Sequence, residues 1–125
     1  MKFKYNENEN PPAPFFPVRV SHPANRDRFV DLPAKIDTGF DITCIPESLI
    51  AQLVLDKWGE IEVMGFEARP TSVPLYAIYL ELPSGKRGYL NALAFSADHV
   101  LLGRDVINLL HLVLDGPNLT FEVVE

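Results

Sequence analysis

Only two stretches of this 125-residue chain carry a helical spacing of apolar residues, and both are short. In PESLIAQLVL, Leu49, Ile50, Leu53 and Val54 fall on one helical face, and Pro46 suits the first turn. RDVINLLH, beginning at Arg104, is the second. The remaining apolar residues alternate with polar ones or form short runs, which is the pattern of strands. FFPVRV (15–20) and FVDLPAKI (29–36), joined by a polar turn, predict a hairpin over residues 15–36. ITCIP (42–46) is a short strand. Ile61 and Val63 alternate with Glu60 and Glu62, and Ile78, Leu80 and Leu82 alternate with Tyr79 and Glu81. That predicts a second hairpin over 61–82 with its tip near Glu67 to Ser72. After the turn PSGKRG come the strands YLNALAF and HVLLG, then a third hairpin, LVLDGPNLTFEVV, turning at Asp-Gly-Pro-Asn. Eight or nine short strands with two short helices give a mainly β domain whose sheet closes or folds over. Helix alternates with strand too rarely for a parallel βαβ sheet.

The chain is long enough for one core and not for two. With 47% hydrophobic residues and a net charge of −6 it presents no basic patch, which argues against a nucleic-acid partner. His22, His99 and His111 share no ligand spacing with the single cysteine, Cys44, so no metal or other cofactor is predicted. One cysteine cannot form a disulfide within the chain, which fits a reducing compartment. The opening MKFKYNENENPPAP lacks a signal-peptide core, and no apolar run approaches the roughly 20 residues that span a bilayer. These features predict a soluble, cytoplasmic protein with no membrane partner. Residues 1–13 read as a flexible lead-in and residues 14–125 as the folded domain.

Within AKIDTGFDITCIP (34–46), Asp37 interrupts a strand-like run. A carboxylate in such a place is costly to bury without partners. Asp37, Thr38 and Gly39 end one strand and open a loop before the next. A second apolar strand, Val100 to Leu102, ends at Gly103 and leads into a short helix. Read by themselves, Asp and Gly at a strand end are also ordinary turn residues.

Taken together, Asp37-Thr38-Gly39 and Leu101-Leu102-Gly103 before a helix resemble the retroviral-type (retropepsin-like) aspartic peptidases over roughly residues 15–124. The run Asp37-Thr38-Gly39-Phe40-Asp41 and the ending LLGRDVINLLHLVLD are similar to bacterial single-domain members. The resemblance implies an acid-protease half-barrel that assembles as a homodimer, because one chain carries one Asp-Thr-Gly. It implies an endopeptidase acting on a peptide or protein substrate through two Asp37 carboxylates, one from each subunit. Two such groups about 3 Å apart share one proton, so one serves as acid and the other as base. Thr38 is implied to bond across the dimer axis, and Gly39 to let the loop backbone approach the carboxylate. Asp41 and Arg104 occupy the positions of a structural ion pair.

By the same resemblance the hairpin 61–82 corresponds to the flap over the substrate, with Gly65, Phe66, Glu67, Ala68 and Arg69 as substrate-binding candidates. Phe40 stands where retroviral relatives have a small residue. An apolar ring there raises carboxyl pKa values, which predicts activity shifted towards neutral pH. Cys44 is predicted to be buried and inert, Trp58 to pack against the helix end, and the strand tyrosines Tyr76, Tyr79 and Tyr89 to be packing residues. The last strand, Leu119 to Val124, is a candidate dimer seam because its apolar edge needs covering. Two rival readings remain at this level: a catalytically inactive peptide-binding or interaction module of the same fold, and a monomeric β-barrel with an accidental motif.

Overall fold

A computed structural model of the chain, describing residues 1–64 and 69–124, turns this alternation into ladders. In chain order the elements are β1 (Lys2–Lys4), β2 (Phe15–His22), β3 (Asn25–Ile36), β4 (Cys44–Pro46), α1 (Ser48–Leu53), β5 (Lys57–Met64), β6 (Pro70–Glu81), β7 (Arg87–Phe95), β8 (Val100–Leu102), α2 (Arg104–Ile107), β9 (His111–Asp115) and β10 (Thr120–Val124). Among the described residues the domain is thus mainly β with two short helices.

The β2–β3 hairpin shows how sequence sets orientation. Phe16, Val18 and Val20 point into the core, while the intervening Arg19 stays outside and makes a two-pronged ion pair with Asp31 opposite it (2.7 and 3.0 Å). The large sheet runs β2-β3-β8-β4-β7-β6-β5, and β2 also pairs with β6, Val20 lying opposite Leu80. That extra pairing closes the sheet into a barrel and leaves β5 outside it, on an arm shared with the outer half of β6. Two pairings are parallel, β3 with β8 and β4 with β7. They join strands far apart in sequence rather than consecutive βαβ units. Inside the barrel Val20, Ile45, Ile78, Ala92, Val100 and Leu102 have no measurable exposure.

Four expectations are corrected. Residues 1–13 are not a free lead-in: β1 pairs antiparallel with β10, and Asn6 bridges to Ala13. Phe3 stacks on Phe121 (ring centroids 5.2 Å) and meets Phe16 edge-on (5.7 Å), and this burial is what holds the segment. For the same reason β10 is no open edge. It lies between β1 and β9, with Phe121 and Val123 buried. Pro46 closes β4 instead of opening α1, whose cap is Glu47. Trp58 is 72% exposed on the arm and does not pack on α1. Among the tyrosines, Tyr79 is buried, Tyr76 half-buried and Tyr89 exposed. No described helix is long and apolar enough to cross a membrane.

Candidate active site

Asp37 directly follows β3, and its N–H donates to the carbonyl of Leu102 (3.1 Å), extending the β3–β8 ladder by one bond. The chain then turns. Gly39 N–H donates to Asp37 Oδ1 (2.9 Å), and Phe40 N–H to the Asp37 carbonyl (3.3 Å). A Cβ on Gly39 would stand 3.1 Å from that same carboxylate oxygen, so a side chain there would crowd the group the turn presents. Asp37 is half-buried, and Thr38, Gly39, Phe40 and Asp41 are exposed.

The loop is clamped from one side by α2 and the strand before it. Arg104 N–H donates to the Phe40 carbonyl (2.8 Å), its guanidinium Nη1 donates to the Thr38 carbonyl (2.6 Å), and Nη2 is ion-paired with Asp41. The pair is exposed and adds little stability as a charge pair. Its planar fork nevertheless spans the loop, holding the backbone at Thr38 and the side chain at Asp41 together. At the other end of the loop, Thr43 is fully buried. Its hydroxyl donates to Asp105 Oδ1 (2.8 Å) and accepts from Gly103 N–H (3.1 Å). Thr43 N–H also donates to both Asp105 oxygens (3.2 and 3.1 Å), and Val106 N–H to Oδ1 (2.9 Å). Gly103 is required here by contact: an added Cβ would sit 2.7 Å from the carbonyl carbon of Ile42.

The structure therefore brings Asp37, Thr38, Gly39, Asp41, Leu102, Gly103 and Arg104 together, with Leu101 buried beside them. Gly65, Phe66, Glu67 and Ala68 lie outside the described residues, and Arg69 is exposed just before β6. Thr71 and Ser72, expected near the tip, are already paired in β6. Sequence reading missed Thr43 and Asp105, which tie β4 to α2. The only local hint was an Asp directly after Gly103-Arg104. Burial, reinforced by the Asp105 charge, pushes the Cys44 thiol up to about 11, which removes it as a nucleophile near neutral pH.

No protein-family model matches the chain, and no curated protein matches it. Solved structures do. The protease of EIAV, complexed with the inhibitor HBY-793, superimposes with a TM-score of 0.60 at 17% identity, over 85% of this chain and 92% of that one. The chain has a retropepsin-like fold. A foamy viral protease-reverse transcriptase bound to an RNA/DNA hybrid matches 78% of this chain with a TM-score of 0.56 at 20% identity. This retropepsin-like chain spans only 12% of that longer protein.

Proposed function

We propose that the chain is a homodimeric aspartic endopeptidase, in which a water held between two Asp37 carboxylates, one from each subunit, attacks the peptide carbonyl. The observation that carries this is Asp37 itself: it stands at the end of β3 on a retropepsin-like fold, its Oδ1 held by Gly39 N–H at 2.9 Å in a loop clamped by Arg104. The paired carboxylates share one proton. The ionised one takes a proton from the attacking water, and the protonated one gives its proton to the forming oxyanion. As the C–N bond breaks, the first carboxyl passes water's proton to the leaving amine and a hydroxyl of the tetrahedral intermediate returns a proton to the second. Asp41 and Arg104 are positioning residues in this scheme, and the exposed Thr38 bonds across the dimer axis. The subunits meet through the outer edge of β9, which pairs only with β10 among the described residues. Val113 and Leu114 on that strand are 47% and 52% exposed, apolar surface that a second copy would cover.

The test is digestion of a mixed peptide library at high protein concentration from about pH 4 to 7.5, read by mass spectrometry, with Asp37→Asn as control. Wild-type cleavage is expected to fall by about 10²–10⁴-fold or more in the variant and to rise more steeply than linearly with protein concentration. A confirmed dimer that leaves every peptide intact would replace this reading with that of a peptide-binding module.

A further inference from the structure

Between α2 and the turn joining β6 to β7 lies a cavity of about 510 Å³. Its size falls within the roughly 300–1,000 Å³ of small-molecule sites. Leu80, Leu82, Leu90, Val106 and Leu109 make its wall aliphatic. Gly88 lines this space. That residue pairs with Leu80 across the β6–β7 ladder, and a Cβ built on it meets nothing within 4 Å.

The polar groups around this apolar wall have one net sign. Lys86 and Arg87 contribute two cations and Asp105 one anion. The Asp105 carboxylate already accepts from Thr43 N–H, Thr43 Oγ1 and Val106 N–H. Lys86 reaches across to the Leu109 carbonyl with one of its three N–H donors, which leaves its ammonium at the edge of the apolar wall. In a chain of net charge −6 a locally cationic apolar hollow is not the average surface.

We propose that this cavity binds a medium-chain carboxylate, its alkyl chain lying over Gly88 against Leu80, Leu90 and Val106 and its acid group meeting the Lys86 ammonium. This site is separate from the peptidase reading and does not depend on it. Calorimetric titration with octanoate, decanoate and decanol tests it. Decanoate should bind one-to-one and roughly fifteenfold tighter than octanoate, since each buried methylene contributes about fourfold. Gly88→Phe, which fills the hollow, should abolish the signal while the melting curve still reports a folded protein. Gly88→Leu serves if the larger ring prevents folding. Lys86→Gln should weaken decanoate at least fivefold and leave decanol unchanged. The proposal is overturned if wild type gives no saturable heat up to about 1 mM, if the filled variants bind decanoate as before, or if decanol binds as tightly as decanoate.

Discussion

The loop around Asp37 and the arm made by β5 with the outer half of β6 belong to one sheet system but are held by different means. The loop has almost no ladder of its own. It is fixed by a few backbone bonds, such as Arg104 N–H to the Phe40 carbonyl, and by side-chain bonds to α2 and the residue before it: the Arg104 guanidinium donates to the Thr38 carbonyl, and the Thr43 hydroxyl donates to Asp105 and accepts from Gly103 N–H. The arm has a long ladder, from Lys57 opposite Tyr76 to Met64 opposite Pro70, yet only Gly59, Ile61 and Val63 of β5 are even half-buried. Ladder bonds alone leave an element able to open locally, whereas a few buried polar bonds with no substitute fix a loop in one shape. The Asp37 loop thus combines exposed clamps with a buried anchor at Thr43, whereas the arm has little burial beyond its ladder.

This contrast can be broken most directly at Gly103. Gly103→Ala places a methyl 2.7 Å from backbone that cannot yield, and should cost about 3 kcal/mol or more in chemical unfolding. Asp105→Ala comes next. It strands the buried Thr43 hydroxyl and N–H, and a loss of about 2 kcal/mol is expected, with faster amide exchange at Thr43 and Gly103 than anywhere on the arm. Equal exchange rates in loop and arm in that variant would mean that the Asp105 anchor does not hold the loop.

Cys44 sharpens the comparison from inside the anchored side. Its thiol is raised in the folded state from 9.0 to about 11, by burial first and the Asp105 charge second. The folded protein therefore favours the protonated form. That contribution is complete below pH 9.0 and is lost as pH rises towards about 11. Melting temperatures of wild type and Cys44→Ala should converge over that window, and a gap that stays constant would contradict the shift. The smallest effect is expected on the arm, where Trp58→Ser should change stability by no more than about 0.5 kcal/mol because the ring is 72% exposed.

What could be read in the sequence follows the range of the forces involved. The hairpins were legible because alternation is local: Phe16, Val18 and Val20 announce one buried face within five residues. The Asp37 loop and Gly103 were legible because both sit at strand ends in a recognisable order. The Thr43–Asp105 tie was not, since it joins two common residue types 62 positions apart with no periodicity between them. Lys2–Lys4 is too short a run to show a period, and its partner strand lies at the other end of the chain. Trp58 misled because a large aromatic is usually covered, and here nothing local revealed that β5 leaves the barrel.

The pairing of Lys2 with Glu122 bears on how the molecule is assembled in time. A contact between such distant residues must pay the full entropy of closing the chain before it returns any stabilisation. β1 should therefore join the local β9–β10 hairpin late, after the barrel hairpins. Until β1 arrives, Phe121 and Val123 lie on an uncovered strand that another unfinished chain could pair with. The short N-terminal strand thus closes the last open side of β10, and docking of Phe3 onto Phe121 is expected to be the final step.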